Sequence, residues 1–286
     1  MLKQRIITAL ALLAVLLPAL FADTPDAFLI LSILLIAAGA WEWANMNGLN
    51  RLQAVFSGFL CAALCFAAWW AGLTTPAASA SWLWSVAGSA WVGITAWMLV
   101  RGVQAWSLWS RQLRWVLGII LLSLAWLAMA QARTDSVQLL LSIFCVVWAA
   151  DVFAYFFGRA LGGKIIHQKL APNVSPGKSW EGALGGLLGV FVLAYCWMQL
   201  QQAYQWPGSS FFSEMMSHGY FLGALSLIFL TAMSVVGDLV ESLVKRSAGV
   251  KDSSNLLPGH GGVLDRLDAL LPALPIAMMM LHWPQV

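Results

Sequence analysis

Apolar runs separated by short polar stretches fill this chain. No charged residue occurs between Leu52 and Val100. A helix crosses ~30 Å of hydrocarbon with roughly 20 residues, so that stretch holds two spans. The cluster Gly72-Leu73-Thr74-Thr75-Pro76 marks the turn between them. The same reading predicts about nine helices, near 5–22, 27–44, 52–72, 83–100, 114–132, 136–158, 180–201, 219–247 and 268–284. The expected fold class is all-α, a polytopic integral membrane protein. A closed barrel would need alternating ten-residue segments, which the chain lacks, and only helices or barrels satisfy their backbone polar groups in lipid.

Composition agrees: the 286 residues are 61% hydrophobic and 9% charged, with mean hydropathy +0.80. Soluble proteins are about 45–50% apolar. Charge sets the expected orientation. With nine spans and a cytoplasmic amino terminus, the inside set is Lys3, Arg5, Arg51, Arg101, Arg111, Arg114, Arg159, Lys164, Lys169, Lys178, Lys245, Arg246, Lys251 and Arg266. That is 14 of the 15 Lys and Arg, with Arg133 alone outside. The carboxyl end, Trp283-Pro284-Gln285-Val286, is then expected outside. Residues 1–22 resemble a signal peptide, but Leu20 stands where a small residue is wanted before Ala22, so an uncleaved first span is expected. Cys61, Cys65, Cys145 and Cys196 all fall within predicted spans and read as small buried hydrophobes. Of 17 tryptophans, Trp41, Trp43, Trp69, Trp70, Trp82, Trp84, Trp106, Trp109 and Trp180 lie near span ends and read as an interfacial belt. Glu42, between Trp41 and Trp43, reads as interfacial rather than catalytic.

The unusual polar residues come after Ala149. The chain therefore divides into 1–132, a scaffold region of transmembrane helices, and 133–286, the candidate catalytic region. Asp151 follows the apolar run Ile143–Ala150. It is either a span-end acid among headgroups or a carboxylate facing a polar cavity with Tyr155 one turn along. The second fits better, because the span ends only at Gly158-Arg159. An acid deep in a span costs ~2.5–3.5 kcal/mol on insertion scales. The segment Ser175-Pro176-Gly177-Lys178-Ser179-Trp180-Glu181-Gly182 opens a helix. It is not a P-loop, because Pro172 stands where that motif needs glycine and no strand is expected before it. It is either a basic loop with a helix cap or an anion site formed by free N–H groups and the helix dipole.

Asp238, Glu241 and Lys245 share one face of the 219–247 helix, which is long enough to tilt, to bend near Gly237 or to project. Then Lys251, Asp252 and the turn Pro258-Gly259-His260-Gly261-Gly262 lead to Asp265, Arg266 and Asp268. Asp265 and Asp268 stand one turn apart at the expected entry to the last span. Two carboxylates so placed suit a hard cation such as Mg²⁺. Lone acids or a lone turn histidine have ordinary structural roles, but this density of both charge signs within 27 residues points to a metal-and-phosphate site.

The run Ser242-x-x-Lys245-Arg246-x4-Lys251-Asp252, followed by His260-Gly261-Gly262-x-x-Asp265-Arg266-x-Asp268, resembles the signature of the phosphatidate cytidylyltransferase (CDP-diacylglycerol synthase) family, bacterial type. Asp151–Arg159 and Ser175–Gly182 resemble upstream segments of that family. Gly177 departs where a second lysine is expected, and Ser179 where threonine is usual. The resemblance implies CTP + phosphatidate → CDP-diacylglycerol + pyrophosphate at the cytoplasmic face of a bacterial inner membrane. It implies Mg²⁺, a second monovalent cation such as K⁺, and a homodimer in the bilayer, with no nucleic acid. Expected metal ligands are Asp238 and Asp265, then Asp268, with Asp151 or Glu241 possible. Lys245, Arg246, Lys251 and Arg266 are expected to meet the CTP phosphates or the lipid headgroup. Ser175, Lys178, Ser242 and Asp252 would complete that clamp, and His260, Gly261 and Gly262 would shape the nucleotide pocket. A CTP-dependent polyprenol or phytol kinase is the nearest alternative. An ion-coupled transporter is disfavoured, because its charges should lie near the midplane in two matching halves. A CDP-alcohol phosphotransferase is disfavoured because its acid-rich motif is missing.

Overall fold

The computed structural model describes residues 2–78 and 80–282. Eleven α-helices occur among them: α1 Leu2–Leu20, α2 Asp26–Met46, α3 Arg51–Trp70, α4 Ser81–Arg101, α5 Arg111–Asp135, α6 Val137–Leu161, α7 Trp180–Tyr204, α8 Phe211–Ser217, α9 Tyr220–Ser247, α10 Leu264–Leu267 and α11 Leu270–Leu281. Eight of these, α1 to α7 and α9, are long and apolar enough to cross a membrane. The protein is therefore an all-α polytopic membrane protein, and its helices follow the predicted runs to within a few residues.

The ninth expected span differs. Residues 264–281 form the one-turn α10 and the 12-residue α11, the latter about 18 Å long at ~1.5 Å per residue. Pro272 explains the break, because it removes an N–H from the helical ladder; α11 runs on through Pro275. Pro272 in particular cannot donate to the carbonyl of Asp268. Residues 283–286, expected outside the membrane, lie beyond the described residues. The two strands among the described residues form a short antiparallel hairpin, β1 Lys169–Ala171 with β2 Ser175–Ser179, with Lys169 opposite Ser179. A strand therefore does lead into α7, contrary to the expectation of a bare loop.

α11 is buried along most of its length and packs on α4, α5 and α9. α1, in contrast, is almost wholly exposed, as a helix facing lipid would be. α6 and α7 form the tightest pair, and glycines allow it. A Cβ on Gly186 would stand 2.6 Å from the carbonyl oxygen of Ala150, and one on Gly182 would stand 3.0 Å from that of Ala154. Small residues at such interfaces let membrane helices approach closely. Gly237 does the same on α9, where a Cβ would stand 2.7 Å from the carbonyl oxygen of Asp268. α9 runs as a helix through this position, so Gly237 serves close packing.

Two expectations about polar residues at span ends are corrected here. Trp70, Trp82 and Trp180 are exposed as a belt requires, but Trp84 and Trp106 are buried in the core. Their indole N–H groups donate to Gln131 Oε1 (3.1 Å) and Asn47 Oδ1 (3.0 Å), which is what a buried indole needs. Glu42 is not interfacial either: it is 0% exposed.

Candidate active site

Three elements converge on one cleft. The close α6–α7 contact brings Asp151 and Tyr155 beside the start of α7, where Ser179 Oγ accepts from Gly182 N at 3.2 Å as the helix cap. The hairpin carries Lys178 across to α9. There its Nζ lies 2.7 Å from Asp238 Oδ2 and donates to the carbonyl of Val235 at 3.3 Å. Asp151, Tyr155, Lys178, Ser179, Gly182 and Asp238 line a cavity of about 320 Å³. Glu181 fixes the wall behind them: its Oε1 accepts from the N–H groups of Gly163, Ile165 and Ile166 at 2.8–3.1 Å.

Negative charge accumulates in this cleft. Asp151 feels the charge of Asp238 and is partly offset by Lys178 and Arg266. Asp268 feels both Asp238 and Asp151, and its Oδ1 accepts only from Ala269 N at 2.7 Å among the described hydrogen bonds. Ser242 Oγ donates to Asp238 Oδ1 at 3.3 Å.

Asp265 stands apart from these three acids. Its Oδ1 takes Lys245 Nζ at 2.7 Å, and its Oδ2 accepts from Ser253 N (2.9 Å), Ser253 Oγ (3.0 Å) and Gly262 N (2.7 Å). Burial works against its charge, but Lys245 and the N–H groups of Gly262 and Ser253 hold its carboxyl below the usual carboxylate range. Lys245 also pairs with Glu241 one turn earlier on α9. Lys245 on α9 and the loop donors thus occupy both oxygens of Asp265.

The turn 258–262 is closed by Leu257 N donating to the Gly261 carbonyl and His260 N to the Leu257 carbonyl, both at 2.8 Å. Arg266 Nη2 donates to the carbonyl of His260 at 2.9 Å. The amino-terminal end of α1 lies against the same turn. Thr8 Oγ1 donates to the Pro258 carbonyl at 2.9 Å, and Gly259 faces Arg5 so closely that a Cβ would stand 2.9 Å from its Cγ. Arg246, Lys251 and Asp252 are exposed, and neither Arg246 nor Lys251 forms an ion pair among the described residues. Ser175 opens β2 and is half-buried.

No three His, Cys, Asp or Glu side chains stand close enough to form a metal cage among the described residues. The donor chemistry nonetheless fits a hard divalent cation. Mg²⁺ is usually held by one or two carboxylates and completed by water and phosphate oxygens. Asp238, Asp268 and Asp151 offer such oxygens with too few cations to balance them.

Sequence reasoning missed Glu42, Ser253, Glu181 and Thr8. Glu42 carried a usable signal, since it is the one charged residue between Asp26 and Arg51. The others carried none, because a serine, a threonine or a helix-start glutamate is ordinary until its partner is known.

The cytidylyltransferase family model matches residues 3–283. The chain is similar to the phosphatidate cytidylyltransferase of Haemophilus influenzae, 34% identical over 293 residues, with 96% of each protein covered. It is also similar to that of Pseudomonas aeruginosa, 35% identical over 283 residues, covering 96% of this chain and 95% of the relative. The phosphatidate cytidylyltransferase of Bacillus subtilis matches over 136 residues at 39% identity, 48% of this chain. A match of this extent takes in the acid cleft and the helices that build it: the chain belongs to the cytidylyltransferase family.

Proposed function

We propose that this protein is a phosphatidate cytidylyltransferase, joining CTP and phosphatidate to give CDP-diacylglycerol and pyrophosphate. The supporting observation is a cavity lined by Asp151, Asp238 and Lys178, in a chain of this family. An oxygen of the lipid phosphate attacks the α-phosphorus of CTP. The bond from that phosphorus to the oxygen bridging the β-phosphorus breaks, and pyrophosphate leaves with the electron pair. The attacking phosphate needs no general base, because its second pKa of ~6 leaves it largely dianionic.

The task of the protein is to bring two polyanions together. In this reading Arg246, Lys251 and Arg266, which form no ion pair among the described residues, take the phosphates of CTP or the lipid headgroup. Lys178 joins them by leaving Asp238, with Ser175, Ser242 and Asp252 at the rim. The turn His260-Gly261-Gly262 shapes the nucleotide pocket, and the buried His260 Nδ1, which has no hydrogen-bond partner among the described residues, meets the base or ribose. Lys245 sits between Glu241 and Asp265 and acts chiefly by holding that loop.

Asp238 and Asp268, with Asp151 across the cleft, are the proposed Mg²⁺ ligands. Asp265 joins them only if Lys245 or a loop donor releases one of its oxygens. Bound there, Mg²⁺ would neutralise phosphate charge and orient the phosphate oxygens. A second, monovalent cation such as K⁺ is part of the proposal. So are a homodimer, a bacterial inner-membrane location with a cytoplasmic amino terminus, and the division into a 1–132 scaffold and a 133–286 catalytic region. The Thr8–Pro258 bond supports the orientation, because it puts the amino terminus and the site loop at one end of the bundle.

The test is detergent-purified protein with CTP, phosphatidate and Mg²⁺, followed for pyrophosphate with and without EDTA. Metal-dependent pyrophosphate and a CDP-lipid are expected. Release of CDP with a polyprenol or phytol acceptor would establish the kinase reading instead.

A further inference from the structure

Glu42 lies on α2, 221 residues before the loop it touches, and belongs to none of the sequence motifs above. Both its oxygens are fully used. Oε1 accepts from Ser254 Oγ (2.5 Å) and Val263 N (2.9 Å), and Oε2 accepts from Ser253 Oγ (3.1 Å) and Leu264 N (2.8 Å). Val263 and Leu264 begin α10, where N–H groups have no partner within the helix. No lysine, arginine or histidine pairs with Glu42 among the described residues, so loop donors alone hold its charge.

The loop is built around this carboxylate. A Cβ on Gly262 would collide with Ser253 Oγ and with the Glu42 carboxylate, so a side chain at 262 would have to displace both. Ser253 Oγ also lies 3.0 Å from Asp265 Oδ2, so its single hydrogen is shared between the two acids. Glu42, Ser253, Asp265, Lys245 and Glu241 thereby form one continuous chain of polar contacts from α2 to α9.

We propose that Glu42 is a positioning residue, a buried carboxylate of the amino-terminal half that fixes the Ser253–Asp265 loop and so sets where Asp265 and Lys245 stand. Its importance for turnover rests on the nucleotidyl-transfer reading above. Only a carboxylate suits the position. An ionised carboxylate only accepts, whereas an amide also donates. In Glu42→Gln, either orientation sets the NH₂ group against the N–H of Val263 or Leu264, and a backbone donor cannot reverse as a hydroxyl can. Aspartate is one methylene too short to reach both.

The experiment compares Glu42→Gln, Glu42→Asp and Ser254→Ala with the parent in detergent. It measures amide hydrogen exchange by segment, thermal midpoint, and kcat and KM per folded molecule. In Glu42→Gln, exchange should rise across 253–268 while α5 and α6 stay protected. Its kcat should fall at least about tenfold, the scale of one lost charge-assisted bond, with KM for CTP changing less. Ser254→Ala, which deletes one of four donors, should give a smaller change of the same kind, and Glu42→Asp should fall between. If Glu42→Gln does not accumulate, Ser254→Ala and Ser253→Ala decide the matter by the same exchange readout. Unchanged exchange across 253–268 overturns the inference. So does loosening of the whole bundle, or a loosened loop with parental kcat. Loop loosening in a parent that releases no pyrophosphate would instead sink the reaction reading and leave the structural role of Glu42 standing.

Discussion

Asp265→Asn is the most informative substitution in this protein, because it separates two roles for the same carboxylate. The side chains of Lys245 and Asp265 are only 13% and 5% exposed and meet at 2.7 Å. Asparagine can keep the contacts from Ser253 N and Gly262 N on its one oxygen, but its NH₂ then faces the ammonium of Lys245. A hydrogen bond to a charged group contributes ~1.5–3 kcal/mol, and breaking a buried pair can cost about 3–5 kcal/mol. Lys245 retains Glu241 as a partner, so the hydrogen-bond figure, about 2–3 kcal/mol, applies rather than the full pair-breaking cost. If that energy is lost from the transition state, kcat/KM falls roughly 30- to 150-fold at ~1.36 kcal/mol per decade.

The assay is pyrophosphate release by Asp265→Asn, Lys245→Met and the double variant, each checked for folding by its thermal midpoint in detergent. Because the two side chains are direct partners, the double variant should be little worse than the worse single one, with a coupling of about 0.5–3 kcal/mol. Strict additivity would refute a role exercised through the pair. A loss in Asp265→Asn of many more decades than in Lys245→Met would return Asp265 to direct metal binding.

Other outcomes follow from the same geometry. EDTA should stop turnover and excess Mg²⁺ should restore it, and Asp238→Asn or Asp268→Asn should shift the Mg²⁺ concentration needed for half-activity upward. An unchanged metal titration would remove that residue from the site. Arg246→Ala should raise KM for CTP or phosphatidate while the thermal midpoint stays at the parental value; unaltered KM for both would count against a phosphate contact. Gly186→Val should push α6 and α7 apart, since even a Cβ stands 2.6 Å from the Ala150 carbonyl oxygen. A cost of about 1–3 kcal/mol is expected, read as a lower thermal midpoint, and a parental midpoint would show that the interface relaxes. Thr8→Val removes the hydrogen bond from Thr8 Oγ1 to the Pro258 carbonyl. It should raise hydrogen exchange in the 256–262 turn, and unchanged exchange there would free the turn from α1.

Hydropathy by itself determined that this is a membrane bundle and where its long helices lie. Each span must satisfy its own backbone and present apolar side chains to lipid, so the information is local. Pro272 also stood in the sequence, and it marks the break before the last helix, but apolar composition masked it. The density of both charge signs in 242–268 likewise marked the site, because charge is costly in so apolar a chain. Tertiary structure alone decided which charges meet. Spacing put Asp265 one turn from Asp268, but only the fold shows that Ser253, Gly262 and Lys245 take up the oxygens of Asp265, whereas Asp268 feels the charges of Asp238 and Asp151. Lys178 reaches Asp238 only because a hairpin forms ahead of α7. Glu42 looked like an interfacial acid because its four donors lie more than 200 residues away. Hydrogen bonds and ion pairs depend on direction and on distances of a few ångströms, and for residues so far apart in sequence only the packing of the helices supplies either.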